Sequence, residues 1–159
     1  MREGIAVVAA IVVVTGFLFF VNGTNIAQSP DGSGATASVL QDISNLIDQG
    51  ASGGNVITRD LAVGDGAEAV SGSQLTVHYI GLLPSGEQFD NSVERGEPFV
   101  FELGAGSVIS GWESGLVGMR EGGRRVLVVP PEMGYGSQSV GNIPPNSTLI
   151  FEVLLLEVE

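Results

Sequence analysis

Val108-Ile109-Ser110-Gly111-Trp112-Glu113-Ser114-Gly115-Leu116 holds the single tryptophan of a 159-residue chain. Two β-branched apolar residues open the stretch, and Gly111 and Gly115 flank the ring. Tryptophan covers a large apolar area and is usually well buried without being fully enclosed. Glycines beside such a ring let backbone come close, or let a strand turn sharply into a helix. The stretch reads as a strand-to-helix corner, with Trp112, Leu116 and Met119 at helical spacing after it. A corner of this kind suits the floor of an apolar pocket and a plain core equally well.

Outward from the corner the pattern is mostly strand. Leu75, Val77 and Tyr79 alternate with Thr76, His78 and Ile80, as a half-buried strand should. Phe99, Phe101 and Leu103 alternate again, and Arg125–Val129 is a strand stopped by Pro130-Pro131. Val56–Val63 and Thr148–Glu157 are strands at the two ends, and Pro84-Ser85-Gly86 is a turn. Several strands with one short helix make an α+β domain of mostly antiparallel sheet over residues 55–159.

Upstream the composition changes. Ile5–Val21 is apolar throughout except for Thr15 and Gly16, and Arg2 is the only basic residue before Arg59. A bilayer takes about 20 apolar residues, with a lower bound near 17, whereas a secretory h-region has about 7–15. Residues 1–23 are therefore expected to form a hydrophobic helix, a signal anchor or, alternatively, a cleaved signal peptide. Arg2 favours an inside amino terminus, which places the rest of the chain outside the cytoplasm. The expected arrangement is single-pass and membrane-anchored, or secreted after cleavage. Residues 24–54 form a linker: Gln28–Thr36 is a Ser/Gly/Pro-rich spacer, and Val39, Leu40, Ile43, Leu46 and Ile47 recur at helical spacing. Asp42, Asn45, Asp48 and Gln49 fill the other side of that short helix. It could dock on the following domain, self-associate or lie on a membrane; the plainest reading is a linker helix.

Composition removes many chemistries. There is no cysteine and a single histidine, so thiolate sites and His clusters are out. With 18 acidic residues, six arginines and no lysine, the formal net charge is −12, a surface that repels nucleic acid. Gly111-Trp112-Glu113-Ser114-Gly115 has its serine one place too late for a nucleophile elbow. There is no P-loop, and neither Gly64-x-Gly66 nor Gly104-x-Gly106 continues as a dinucleotide fingerprint. His78 has no base or ligand partner in sequence and reads as structural. A reaction run here needs no nucleophile, metal or cofactor. What remains is aromatic: Tyr79, Phe89, Phe99, Phe101, Trp112, Tyr135 and Phe151. On these features a cleft for a small apolar group and a core cluster both stay open.

Six blocks in order then resemble the FKBP family of peptidyl-prolyl cis/trans isomerases. They are Thr76-Val77-His78-Tyr79-Ile80-Gly81, Phe89-Asp90-Asn91-Ser92, Pro98–Gly104, Val108-Ile109-x-Gly111-Trp112, Tyr135-Gly136, and Ile143-Pro144-Pro145-x-x-Thr148-Leu149-Ile150-Phe151. The resemblance implies a five-stranded antiparallel sheet curled around one short helix. It implies that Tyr79, Asp90, Ile109, Trp112 and Tyr135 act on the substrate, with Trp112 as floor, the Ile109 N–H and Tyr135 hydroxyl as donors, and Asp90 at the rim near Arg95. Phe89, Phe99, Val108, Ile143 and Phe151 would complete the substrate surface, while Phe101, Leu116 and Met119 read as core. The implied activity is X–Pro isomerisation in polypeptides, with macrolides as further ligands; a non-catalytic proline-binding or chaperone module is the alternative. The Ser137–Asn142 loop departs from the family: it is about one residue shorter than in some members, and Asn142 replaces a common aliphatic residue. In the family that loop overhangs the pocket.

Overall fold

In the computed structural model the described residues are 45–46 and 53–159. The expected hydrophobic helix of residues 1–23, the spacer and most of the linker helix lie outside them; Asn45 and Leu46 are helical. The strands are β1 (Ile57–Ala62), β2 (Gln74–Leu82), β3 (Gln88–Asn91), β4 (Phe99–Glu102), β5 (Arg124–Val129) and β6 (Leu149–Val158). Among the described residues after Val56, the helix α1 (Ser110–Gly115) and a 3-10 turn, Pro131–Met133, complete the regular elements.

The sheet is antiparallel with order β1-β5-β6-β2-β3, and β4 pairs with β2 beside β3. It has six strands where five were expected. The physical reason is a divided edge. The last residues of β2 pair with β3 (Ile80 opposite Asn91), and the first with β4 (Leu75 opposite Phe101). Between them the chain leaves the sheet in the 92–98 loop. Four-residue β3 is half-buried at every position, so it carries no alternation to reveal it.

Alternation sorts the long strands cleanly. Leu75, Val77 and Tyr79 of β2, Leu127 and Val129 of β5, and Leu149, Phe151, Val153 and Leu155 of β6 point to the inner face, where Trp112, Leu116 and Met119 meet them. Ile80, Leu82, Val126, Val128, Ile150 and Leu154 form a second cluster on the outer face. The expected helix stops early, at Gly115, yet Leu116 and Met119 remain in the core.

The helix lies flat on the sheet because two positions lack side chains. A Cβ on Gly111 would stand 2.5 Å from Val129 Cγ1, and one on Gly115 would stand 2.5 Å from Leu127 Cδ2. Close approach is thus the use to which both glycines beside Trp112 are put. Arg125, on the inner side of β5, pins the end of the helix: its guanidinium donates to the Gly115 and Val117 carbonyls at 2.9 and 3.1 Å and to Asp60 of β1 at 2.6 Å. Those carbonyls have no intrahelical partner, and a cation there is favourable.

Candidate active site

Between α1 and the open end of the sheet lies a cavity of about 350 Å³. Tyr79, Phe89, Asp90, Phe99, Ser107, Val108, Ile109, Trp112, Tyr135 and Phe151 line it. Trp112, 4 % exposed, is packed by four rings: Tyr79 at 5.0 Å and 89°, Phe151 at 5.3 Å and 85°, Phe101 at 5.6 Å and Phe99 at 6.1 Å. Edge-to-face contacts at these separations are the favoured aromatic geometry. They hold Trp112 in one orientation. Its indole N–H is buried without a hydrogen-bond acceptor among the described residues.

Each wall has its own support. Phe89 closes over Gly81, where a Cβ would come within 2.6 Å of the ring, and it meets Phe151 edge-on at 5.6 Å. Buried Ser92 fixes the backbone of Tyr79: its hydroxyl accepts from the Tyr79 N–H at 2.8 Å, and its own N–H donates to the Tyr79 carbonyl at 3.0 Å. His78 Nδ1 lies 3.0 Å from the same hydroxyl, and burial pulls its pKa below the ordinary value, in keeping with a structural histidine.

At the rim the Tyr79 hydroxyl donates to Asp90, which is also ion-paired with Arg95. Arg95 donates to the Tyr79 oxygen at 3.2 Å and sits 5.6 Å from the centre of its ring. Burial, and then the bond to the Asp90 carboxylate, push the Tyr79 pKa up, so the hydroxyl stays a donor at neutral pH. Burial and the Asp90 charge raise Tyr135 in the same direction.

The opposite lip is the chain entering α1. Glu113 reaches back from the helix and accepts from the N–H groups of Gly104 and Gly106, the latter at 2.8 Å. Both glycines have positive φ (91° and 71°), which a side chain would oppose. This clasp sets the path into Ser107, Val108 and Ile109. The Ile109 carbonyl accepts the Trp112 N–H at 2.9 Å, while the Ile109 N–H has no acceptor among the described residues. Tyr135, 38 % exposed, is carried by the turn after Pro130-Pro131, and the Ser110 hydroxyl ties that turn to the helix through the Met133 carbonyl at 3.2 Å.

Nine of the ten residues singled out from sequence therefore line one cavity. Ile143 does not: it is buried in the core, 5 % exposed, and its backbone closes a turn with Val140 through bonds of 3.1 and 2.9 Å. An apolar residue in a motif beside the pocket is drawn to whichever dry volume it can reach, and for Ile143 that is the interior. The Ser137–Asn142 loop likewise contributes no lining residue; it folds on itself through the Val140–Ile143 bridge and the Ser139 hydroxyl. Ser107 was missed because a small polar residue in a glycine-rich loop gives no signal of its own.

The profile of the FKBP-type peptidyl-prolyl cis-trans isomerases matches residues 66–156. The chain belongs to the FKBP family. It is similar to an FK506-binding protein of Neisseria meningitidis serogroup A, 53 % identical over 106 residues, which span 66 % of this chain and 97 % of the relative. Among solved structures it resembles AtFKBP13, with 37 % identity, TM-score 0.63, and 69 % and 98 % of the two chains covered. It also resembles FkpA from Escherichia coli, with 33 % identity, TM-score 0.64, and 79 % and 67 % covered. As an FKBP-type domain the chain is a peptidyl-prolyl cis/trans isomerase. Its sheet and short helix are those of the family, with the divided edge raising the strand count to six.

Proposed function

We propose that this FKBP-family isomerase twists X–Pro amides directly above Trp112, and that it does so on polypeptides outside the cytoplasm while held at a membrane by residues 1–23. An ordinary peptide bond resists rotation by about 18–20 kcal/mol because of amide resonance. X–Pro bonds have nearly balanced isomers yet still exchange over tens to hundreds of seconds. Catalysis requires only that the site bind the twisted amide better than either planar form. Each tenfold in rate takes about 1.4 kcal/mol of such preference.

The observation that carries the reading is an Ile109 N–H with no acceptor among the described residues, at the lip of an apolar cavity floored by Trp112. The pyrrolidine ring occupies the cup of Phe89, Val108, Trp112 and Phe151, with Phe99 and Tyr79 beside it. The Ile109 N–H and Tyr135 hydroxyl hold the carbonyl on the amino side of proline. Dry walls withdraw water from the amide, and water favours the more polar planar form. Asp90 and Arg95 keep the Tyr79 ring upright. The relatives' designation as FK506-binding proteins supports macrolides as competing occupants of the same cup.

A cis/trans assay on a short X–Pro peptide with the full chain tests the chemistry. Acceleration that is lost in a folded Trp112→Leu variant is the expected result; full activity in that variant would falsify the site. No acceleration by the folded parent would favour the non-catalytic proline-binding module. For the anchor, the support is the Ile5–Val21 run and Arg2. Among the described residues no helix is long and apolar enough to cross a membrane. A reporter fused at the carboxyl terminus should be active only outside the cytoplasm, and activity confined to the cytoplasm overturns the orientation.

A further inference from the structure

The outer face of the sheet, turned away from the cleft, is as dry as the inner one. Ile80, Val126, Val128, Ile150 and Leu154 are 7 % exposed or less, and Glu152 in their midst is 1 % exposed. An antiparallel sheet packed on one side commonly leaves the other to water. Here a cover is required. Val93, Ile57 and Leu61 pack at its margin, and from beyond the domain so does Leu46.

Leu46 is helical and belongs to the Val39, Leu40, Ile43, Leu46, Ile47 pattern. A nine-residue helix is about 13 Å long at 1.5 Å per residue. Three adjacent strands spaced about 4.8 Å apart span a similar width. β5, β6 and β2 are those three strands. The charges also match. Arg59 and Arg124 stand on the outer face, opposite Val126 and Leu154, and the segment carries Asp42 and Asp48.

We propose that Val39–Ile47 docks as an amphipathic helix across the outer face of the sheet, its apolar stripe covering Ile80, Val126, Val128, Ile150 and Leu154 and sealing Glu152 beneath it. The linker is then part of the folded domain, and the distance from any upstream anchor is set by residues before Val39. The proposal is independent of the catalytic reading, because the cleft lies on the other side of the sheet.

The chain has no cysteine, so one introduced thiol is a sole reporter. In the full chain, solubilised in non-ionic detergent, a Leu154→Cys thiol should react slowly with a maleimide. Adding Leu46→Asp or, separately, Ile43→Asp should speed labelling at least tenfold while Trp112 fluorescence stays native. Unchanged labelling in both variants overturns the proposal. So does labelling of the Leu154→Cys chain that accelerates on dilution alone, which would assign the cover to a second copy.

Discussion

The Tyr79 ring meets the Trp112 ring edge-on, 5.0 Å apart at 89°, and the hydroxyl at its far end donates to Asp90. One side chain thus joins the apolar floor to the charged rim. Tyr79→Phe keeps the edge contact and removes the link to Asp90 and Arg95. An intramolecular hydrogen bond contributes about 0.5–1.5 kcal/mol net, so denaturant titration should show a stability loss within that range. If the rim orients the wall, kcat/KM falls about three- to tenfold, equal to about 0.7–1.4 kcal/mol. Unaltered kcat/KM would reduce the Tyr79 hydroxyl to a structural part.

Gly81→Ala tests the opposite wall. The new methyl would sit 2.6 Å from the Phe89 ring and 3.2 Å from Phe151, so Phe89, a wall of the cavity, must shift. Overpacking of this kind costs about 1–3 kcal/mol. Peptide affinity should weaken along with stability, measured by fluorescence titration of Trp112 and by chemical unfolding. A variant with parental affinity would show that Phe89 lies outside the binding surface.

The first part of β2 was legible from sequence because it has one face to bury, with Leu75, Val77 and Tyr79 inward and Gln74, Thr76 and His78 less buried between them. The rings of the cavity were legible as well, since their bulk and their special neighbours mark them. β3 was not, being short and half-buried throughout, and neither was the split edge it creates. Ile143 shows the limit of a motif, which brings a residue near a site without saying which way it faces. Nor does spacing reveal that Glu113 accepts from Gly104 and Gly106 across the loop, because that depends on where the helix start lands against it.

Glu113→Ala should therefore reduce activity more than stability. The lost acceptors contribute about 1 kcal/mol to folding at an exposed site. The lip they hold carries Val108 and Ile109 into the cavity, and a looser lip lowers kcat/KM. Glu113→Gln keeps one acceptor and should restore part of the activity in the cis/trans assay. Equal activity in all three chains would show that the clasp does not position the lip.

Glu152 gives the domain a pH signature. Burial raises its pKa from 4.5 to about 7, against the opposing pull of Arg124, and neither carboxylate oxygen has a hydrogen-bond partner among the described residues. The folded state therefore holds a proton that the unfolded chain releases near 4.5. This stabilisation is complete below that value, declines as pH rises toward about 7, and is gone above it. At 1.36 kcal/mol per unit the whole span is on the order of 3 kcal/mol. The midpoint of thermal unfolding should fall between pH 5 and 7.5 in the parent and stay flatter in Glu152→Gln. Parallel pH profiles in the two chains would show that Glu152 does not carry the dependence.

Arg124 and Arg125 are neighbours in sequence, yet one faces the outer cluster while the other clamps the end of the helix under the cleft. β5 and the Leu149–Leu155 part of β6 act as a partition one residue thick, and each step along them crosses from one chamber to the other. Substitutions at Ile150, Glu152 and Leu154 retune the cover and the acid response, whereas those at Leu149, Phe151, Val153 and Leu155 act on the inner core, where Phe151 lines the substrate cup. An insertion or deletion of one residue in either strand would exchange the two chambers' contents at once. Such changes should be far less tolerated here than point substitutions, and the two sides can diversify almost independently so long as the strand lengths between them are kept.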